Sequence, residues 1–136
     1  MKVLYDANIV LDVFQRRALF YEASALALNA ALEGIVTGYF PAHAVPTISY
    51  VLRKHADQTT AANAVSWLLG AFEIAPCNIV VLKQATVADF KDFEDAVVAY
   101  SAFECQCDAI VTRNSNDFLT SPVPTLSPTD FLQQLA

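Results

Sequence analysis

The chain has 136 residues, 55% of them hydrophobic and 16% charged, with a formal net charge of −6. A chain of this length and apolar content buries roughly two-thirds of its unfolded surface, which excludes disordered and fibrous classes and leads us to expect one domain over residues 1–136. The surplus of acid excludes a nucleic-acid binder that works through a broadly basic surface, so any such role must rest on a local site.

No apolar run reaches the roughly 18 residues that a membrane-spanning helix needs, because charges or prolines interrupt each candidate. The opening "MKVLYDA" lacks the length and the small-residue cleavage site of a secretory signal. Cys77, Cys105 and Cys107 are an odd number, and the C-x-C pair has neither redox spacing nor histidine companions. Reduced thiols and a cytoplasmic location are therefore expected, with no membrane partner.

In chain order, "KVLY" at residues 2–5 reads as a short buried strand. Residues 7–15 carry apolar side chains at helical spacing. The alanine- and leucine-rich residues 20–34 form a second helix, stopped by Gly34 as a C-terminal cap. Residues 35–40, "IVTGYF", read as a strand. In the segment that follows, Pro46 suits the first turn of a helix and not its middle, so the helix starts near Val45 or Pro46. Residues 58–72 are amphipathic, with Trp67 directed to the core. Residues 77–88 are a helix candidate despite their β-branched content. Residues 92–104 form a helix, residues 108–112 a buried strand, and residues 123–136 an edge strand and a terminal helix. Short apolar strands alternating with helices predict an α/β fold, a parallel sheet sandwiched between helical layers.

In such sheets ligands lie beyond the carboxyl ends of the strands. Asp6 directly follows the first strand, and Asn114 and Asp117 follow "DAIVT". "DFED" packs Asp92, Glu94 and Asp95 into the start of the preceding helix. Crowded carboxylates repel one another unless they are protonated or share a cation. The usual cation for an all-oxygen set is Mg²⁺ or Mn²⁺, which can bind a scissile phosphate and activate an attacking water. Local capping explains several of these acids equally well. Asp92 and Asp95 form a D-x-x-D pair resembling a capping box, with Asp92 as N-cap. The two roles are compatible if Asp92 caps and Asp95 faces the site, with Glu94 turned to solvent. Asp6 can likewise cap the helix from Ala7, and Asp117 can cap a turn before Phe118. Asp12 is expected at the surface.

Taken together, "VLYDANIVLDVF", "DFEDAVVAYSA" and "DAIVTRNSNDF" resemble the PIN domain, the metal-dependent ribonuclease fold of VapC-like toxins, over essentially the whole chain. The resemblance implies a three-layer α/β/α sandwich with a short central parallel sheet. It further implies Asp6, Asp95 and Asp117 as catalytic metal ligands, with Asn8, Asp92, Thr112 and Asn114 in support. Its expected companions are an RNA substrate, an inhibitory antitoxin protein and a second copy of the chain in a homodimer. Arg113 lies beside the proposed site and is the candidate for touching RNA phosphate. The family usually carries a Glu at the start of the helix after the second strand, and here Thr47 stands in that place as a supporting residue that can hydrogen-bond a metal-bound water but brings no charge, with His43 upstream as the alternative. That departure keeps open a second reading, a PIN-fold binding module without nuclease activity. A haloacid-dehalogenase-type phosphate hydrolase fits less well, because Asn8 stands where its second Asp should be.

Overall fold

Helix and strand alternate along the chain in a computed structural model that describes residues 1–136. Strand β1 (Lys2–Tyr5) leads into α1 (Ala7–Phe14) and α2 (Tyr21–Leu32). Strand β2 (Thr37–Pro41) is followed by a 3-10 turn (Ala42–Ala44), α3 (Val45–His55) and α4 (Gln58–Ala71). Then come β3 (Glu73–Ala75), α5 (Ile79–Thr86), α6 (Phe93–Glu104) and β4 (Ala109–Val111). A second 3-10 turn (Ser115–Phe118), β5 (Thr125–Leu126) and α7 (Pro128–Leu135) complete the chain.

The strands form one sheet in the order β3-β2-β1-β4-β5, and every pairing is parallel. The chain therefore winds outward from β1 in both directions, and β1 beside β4 is the point where the strand order reverses. Side chains alternate across the sheet as the pleat requires. Val3, Tyr5 and Val111 face a core built with α1, α2, α3, α4 and Phe131 of α7. Leu4 and Ile110 face the opposite core, with Val98, Ala99 and Ala102 of α6. Helix α5 packs on α6 through Val81, Ala85, Ala96 and Val97. These are the three layers that the sequence predicts.

Two glycines are dictated by geometry. Gly34 has φ +77°, and the N–H groups of Gly34 and Ile35 bond back to the carbonyls of Ala31 and Ala30, closing α2 as a left-handed cap does. Gly38 lies where α2 and Phe72 press on β2, and a Cβ there would stand 2.7 Å from the Ala31 and Phe72 side chains. Strand β3 was not anticipated. Its three residues, "EIA", are too few to show a period, and only pairing with β2 defines them. The expected core position of Trp67 is met in part: it is half-buried, edge-on to Phe14 and Phe72.

Candidate active site

Asp6 is the first residue beyond β1, and its backbone N–H donates to the carbonyl of Val111 on β4, 3.0 Å away. That bond fixes it at the carboxyl edge of the two central strands. Its side chain is 6% exposed. Oδ1 accepts from the Ala7 N–H at 2.8 Å, and Oδ2 accepts from the Thr112 hydroxyl at 2.8 Å. Asp6 therefore caps α1 and also holds an ordered carboxylate at the sheet edge. Asn8 approaches both Asp6 Oδ2 and Thr112 Oγ1 at 3.5 Å through its amide nitrogen, and its amide oxygen takes the Arg113 N–H at the same distance. The Asn114 N–H donates to Thr112 Oγ1 at 3.1 Å. Asn8 and Thr112 thus contact the Asp6 carboxylate, and Asn114 contacts Thr112 through its backbone.

Helix α6 brings the second group of acids. Asp92 is its N-cap, accepting from the Glu94 N–H at 2.8 Å. Asp95 makes no reciprocal hydrogen bond to Asp92, so no capping box closes and its half-buried carboxylate stays free. A cleft of about 380 Å³ is lined by Asp92, Asp95 and Asp117, with Lys91, Phe90 and Leu119 among the other wall residues. Asp117 comes from the 3-10 turn after β4 and is exposed.

Electrostatics reports the convergence. Burial, followed by the charges of Asp92, Glu94, Asp6 and Asp117, pushes the Asp95 carboxyl up to about 7. Burial pushes Asp6 up to about 6 against the lowering effect of the Thr112 hydroxyl, and the Glu94 charge raises it further. Asp95 on α6 therefore feels the charges of Asp6, just beyond β1, and of Asp117, in the turn after β4. An all-oxygen set under such repulsion suits a hard dication. No three acid, His or Cys side chains are grouped closely enough to make a ready-formed ion site. A hard ion that takes few protein ligands and keeps several waters is compatible with that spacing.

Several expectations need correction. Glu94 is half-exposed but does not simply face solvent: its Oε2 is 2.5 Å from Nε2 of His43, in the turn after β2. Asp12 is not a surface residue. It is fully buried, accepting from Ser24 Oγ at 2.9 Å and Arg113 Nε at 2.7 Å, with Arg17 at 3.5 Å. Arg113, expected to meet phosphate beside the acids, is committed to Asp12 and lies over the Phe20 ring at 4.0 Å. It lines a separate cleft with Leu19, Phe20 and Ser24. Thr47 is exposed, and no hydrogen bond ties it to the acids. Lys91 was missed by sequence reasoning, because a lone lysine before "DFED" carries no signal until the cleft closes around it. The cysteines are unpaired, and burial pushes Cys107 up to about 12, which leaves it an unreactive thiol.

A family model described as PIN domain matches residues 2–116. Ribonuclease VapC1 from Aquifex aeolicus (strain VF5) is 24% identical over 138 aligned positions, covering 98% of this chain and 94% of that protein. Among solved structures, a toxin–antitoxin complex from Klebsiella pneumoniae superposes with a TM-score of 0.71 and 20% identity, over 93% of this chain and 97% of that one. VapBC-1 from nontypeable Haemophilus influenzae gives a TM-score of 0.68 at 10% identity, over 95% and 99% of the respective chains.

Proposed function

Because the chain belongs to the PIN domain family, we propose that it is a Mg²⁺- or Mn²⁺-dependent endoribonuclease, the toxin of a toxin–antitoxin pair. The observation that carries this reading is the meeting of Asp95 and Asp117 on one cleft wall beside the carboxyl edge of β1 and β4, where Asp6 stands and where a parallel sheet binds its ligands. The ribonuclease name of the Aquifex relative supports the reaction class, and the Klebsiella and Haemophilus complexes support an antitoxin partner.

On this reading Asp6, Asp95 and Asp117 are the residues that would hold the ion. When bound, the ion would neutralise charge on the scissile phosphate and make water a stronger nucleophile. The chain's own contribution is position. Thr112 and the Ala7 N–H fix the two oxygens of Asp6, so that carboxylate does not have to be ordered when substrate arrives. Asp92 fixes the first turn of α6 and with it Asp95. Lys91 is the cation on the cleft wall and is placed to meet an RNA phosphate. Arg113 acts further back, anchoring the β4 loop to α1 through Asp12. The acidic cleft would also accept a cationic side chain of an antitoxin, and we expect the active form to be a homodimer.

The binding-module reading keeps one observation in its favour: Thr47 brings no carboxylate, and no three of the remaining acids form a closed site. Calorimetric titration with Mn²⁺, beside Asp6→Asn and followed by cleavage of a mixed RNA pool with and without EDTA, separates the two. Asp6-dependent binding with EDTA-sensitive cleavage is expected. No binding at millimolar ion would leave the binding module.

A further inference from the structure

Thr47 brings no carboxylate from α3, and a carboxylate of α6 is held by a residue just beyond β2. Glu94 stands at the second position of α6, half-exposed, where a glutamate ordinarily moves among many rotamers. Here both its ends are held. Asp92 takes its N–H at 2.8 Å, and His43 Nε2 meets its Oε2 at 2.5 Å.

His43 lies in the turn directly beyond β2, the strand paired with β1. The register sets Leu4 beside Tyr39, so Asp6 and Pro41 are level at the carboxyl edge and His43 lies just past it. The imidazole is 19% exposed, and its Nδ1 is buried with no partner. A carboxylate can only accept, so the His43–Glu94 bond requires the proton on Nε2. The ring thus has one polar contact, and that contact is Glu94. Leaving a buried nitrogen unsatisfied costs stability, and such a cost in a native protein calls for a reason.

We propose that His43 is a positioning residue that holds Glu94 against the site, and that Glu94 supplies from α6 the fourth negative charge that α3 lacks. The inference rests on the metal-dependent reading above. Glu94 acts as charge near Asp6 and Asp95, whether or not it touches the ion: it neighbours Asp95 in the first turn of α6, and its partner His43 lies just past the sheet edge on which Asp6 stands. The pair ties the start of α6 to the end of β2, so it also sets how far Asp95 stands from Asp6.

The test is Mn²⁺ affinity by calorimetry, with melting temperature alongside, for the wild type, Asp6→Asn, Glu94→Gln, His43→Leu, His43→Gln and the double variant Glu94→Gln/His43→Leu. Glu94→Gln and His43→Leu should each weaken Mn²⁺ binding by about tenfold. His43→Gln, which keeps a donor near the Nε2 position, should bind close to wild type. In the Glu94→Gln background, His43→Leu should have no further effect, as a residue acting only through Glu94 must. Should Glu94→Gln bind as wild type while Asp6→Asn does not, the pair plays no part and the ribonuclease reading survives. An equal His43→Leu effect in both backgrounds would also overturn the proposal, because His43 would then act elsewhere. Absence of Asp6-dependent binding in the wild type would overturn both readings. Glu94→Gln alters an exposed side chain and decides the question even if His43→Leu fails to fold.

Discussion

The carboxylate of Asp6 caps a helix with one oxygen and takes a threonine hydroxyl with the other, and it does so almost out of water. Such a group binds its proton more tightly folded than unfolded. The ordinary value of 3.8 rises to about 6 for Asp6 and, from the same ordinary value, to about 7 for Asp95. Between about pH 4 and 7 the native protein therefore holds more protons than the unfolded chain, and stability must fall as pH rises through that window. Asp6 accounts for roughly 2–3 kcal/mol of that loss. Asp95 adds less than its shift implies, because it is partly exposed and screened. Urea unfolding of the metal-free protein at pH 4.5 and 7.5 should give the higher midpoint at the lower pH. Mn²⁺ affinity should run the other way, rising over the same interval as the ion competes with fewer protons. A metal-free stability that rises from pH 4.5 to 7.5 would show that these acids are not crowded as described. The candidate acids were legible at this scale, because Asp6 and Asp117 follow apolar strands and "DFED" opens a helix. The partner of Glu94 was not, since His43 is 51 residues away and only strand pairing brings it near.

Among elements, five of the seven helices begin on a side-chain cap, of which the sequence reading named Asp6 and Asp92. Asp6, Asp57, Asn78, Asp92 and Ser127 each accept a backbone N–H at the start of a helix, and Gly34 ends one. Asp92→Ala removes one such cap. It should cost about 1 kcal/mol by chemical denaturation. Mn²⁺ affinity should fall far less than in Asp95→Asn, because Asp92 is assigned to the helix first. Gly38 had no such signature. It sits in a strand where a side chain would normally help, and only the close approach of α2 and Phe72 explains it. Gly38→Ala should destabilise by roughly 1–3 kcal/mol, as overpacking does, with the sheet order unchanged. A melting temperature equal to wild type would mean that α2 moves aside at no cost. Strand β3 escaped detection for a related reason: "EIA" follows α4 after a single residue, and its pairing with β2 is all that marks it.

At the scale of the whole molecule, the two ends of the fold are joined by charge as well as by packing. Asp12 on α1, Ser24 on α2 and Arg113 beyond β4 meet at a carboxylate with no exposed surface. Removing one member of a buried pair leaves the other uncompensated, at about 3 kcal/mol or more. Asp12→Ala should therefore lower stability by that order and also loosen the loop that carries Asp117, so Mn²⁺ binding weakens at a distance from the ion. Hydrogen exchange in residues 113–118 would register the loosening. Unchanged exchange would confine Asp12 to stability alone.

The sequence by itself determined the layered α/β fold, the approximate helix spans, and which segments carry candidate acids. Those features follow from hydrophobic period and from capping, both of which act over a few residues. The tertiary structure decided where the charged side chains go. Asp12 and Arg113 turn inward to each other, Glu94 turns to His43, and Thr47 is left exposed and untied to the acids. A side chain's charge is written in the chain, but its partner is selected by strand order and burial, which bring distant residues within the few ångströms over which a desolvated charge must be matched.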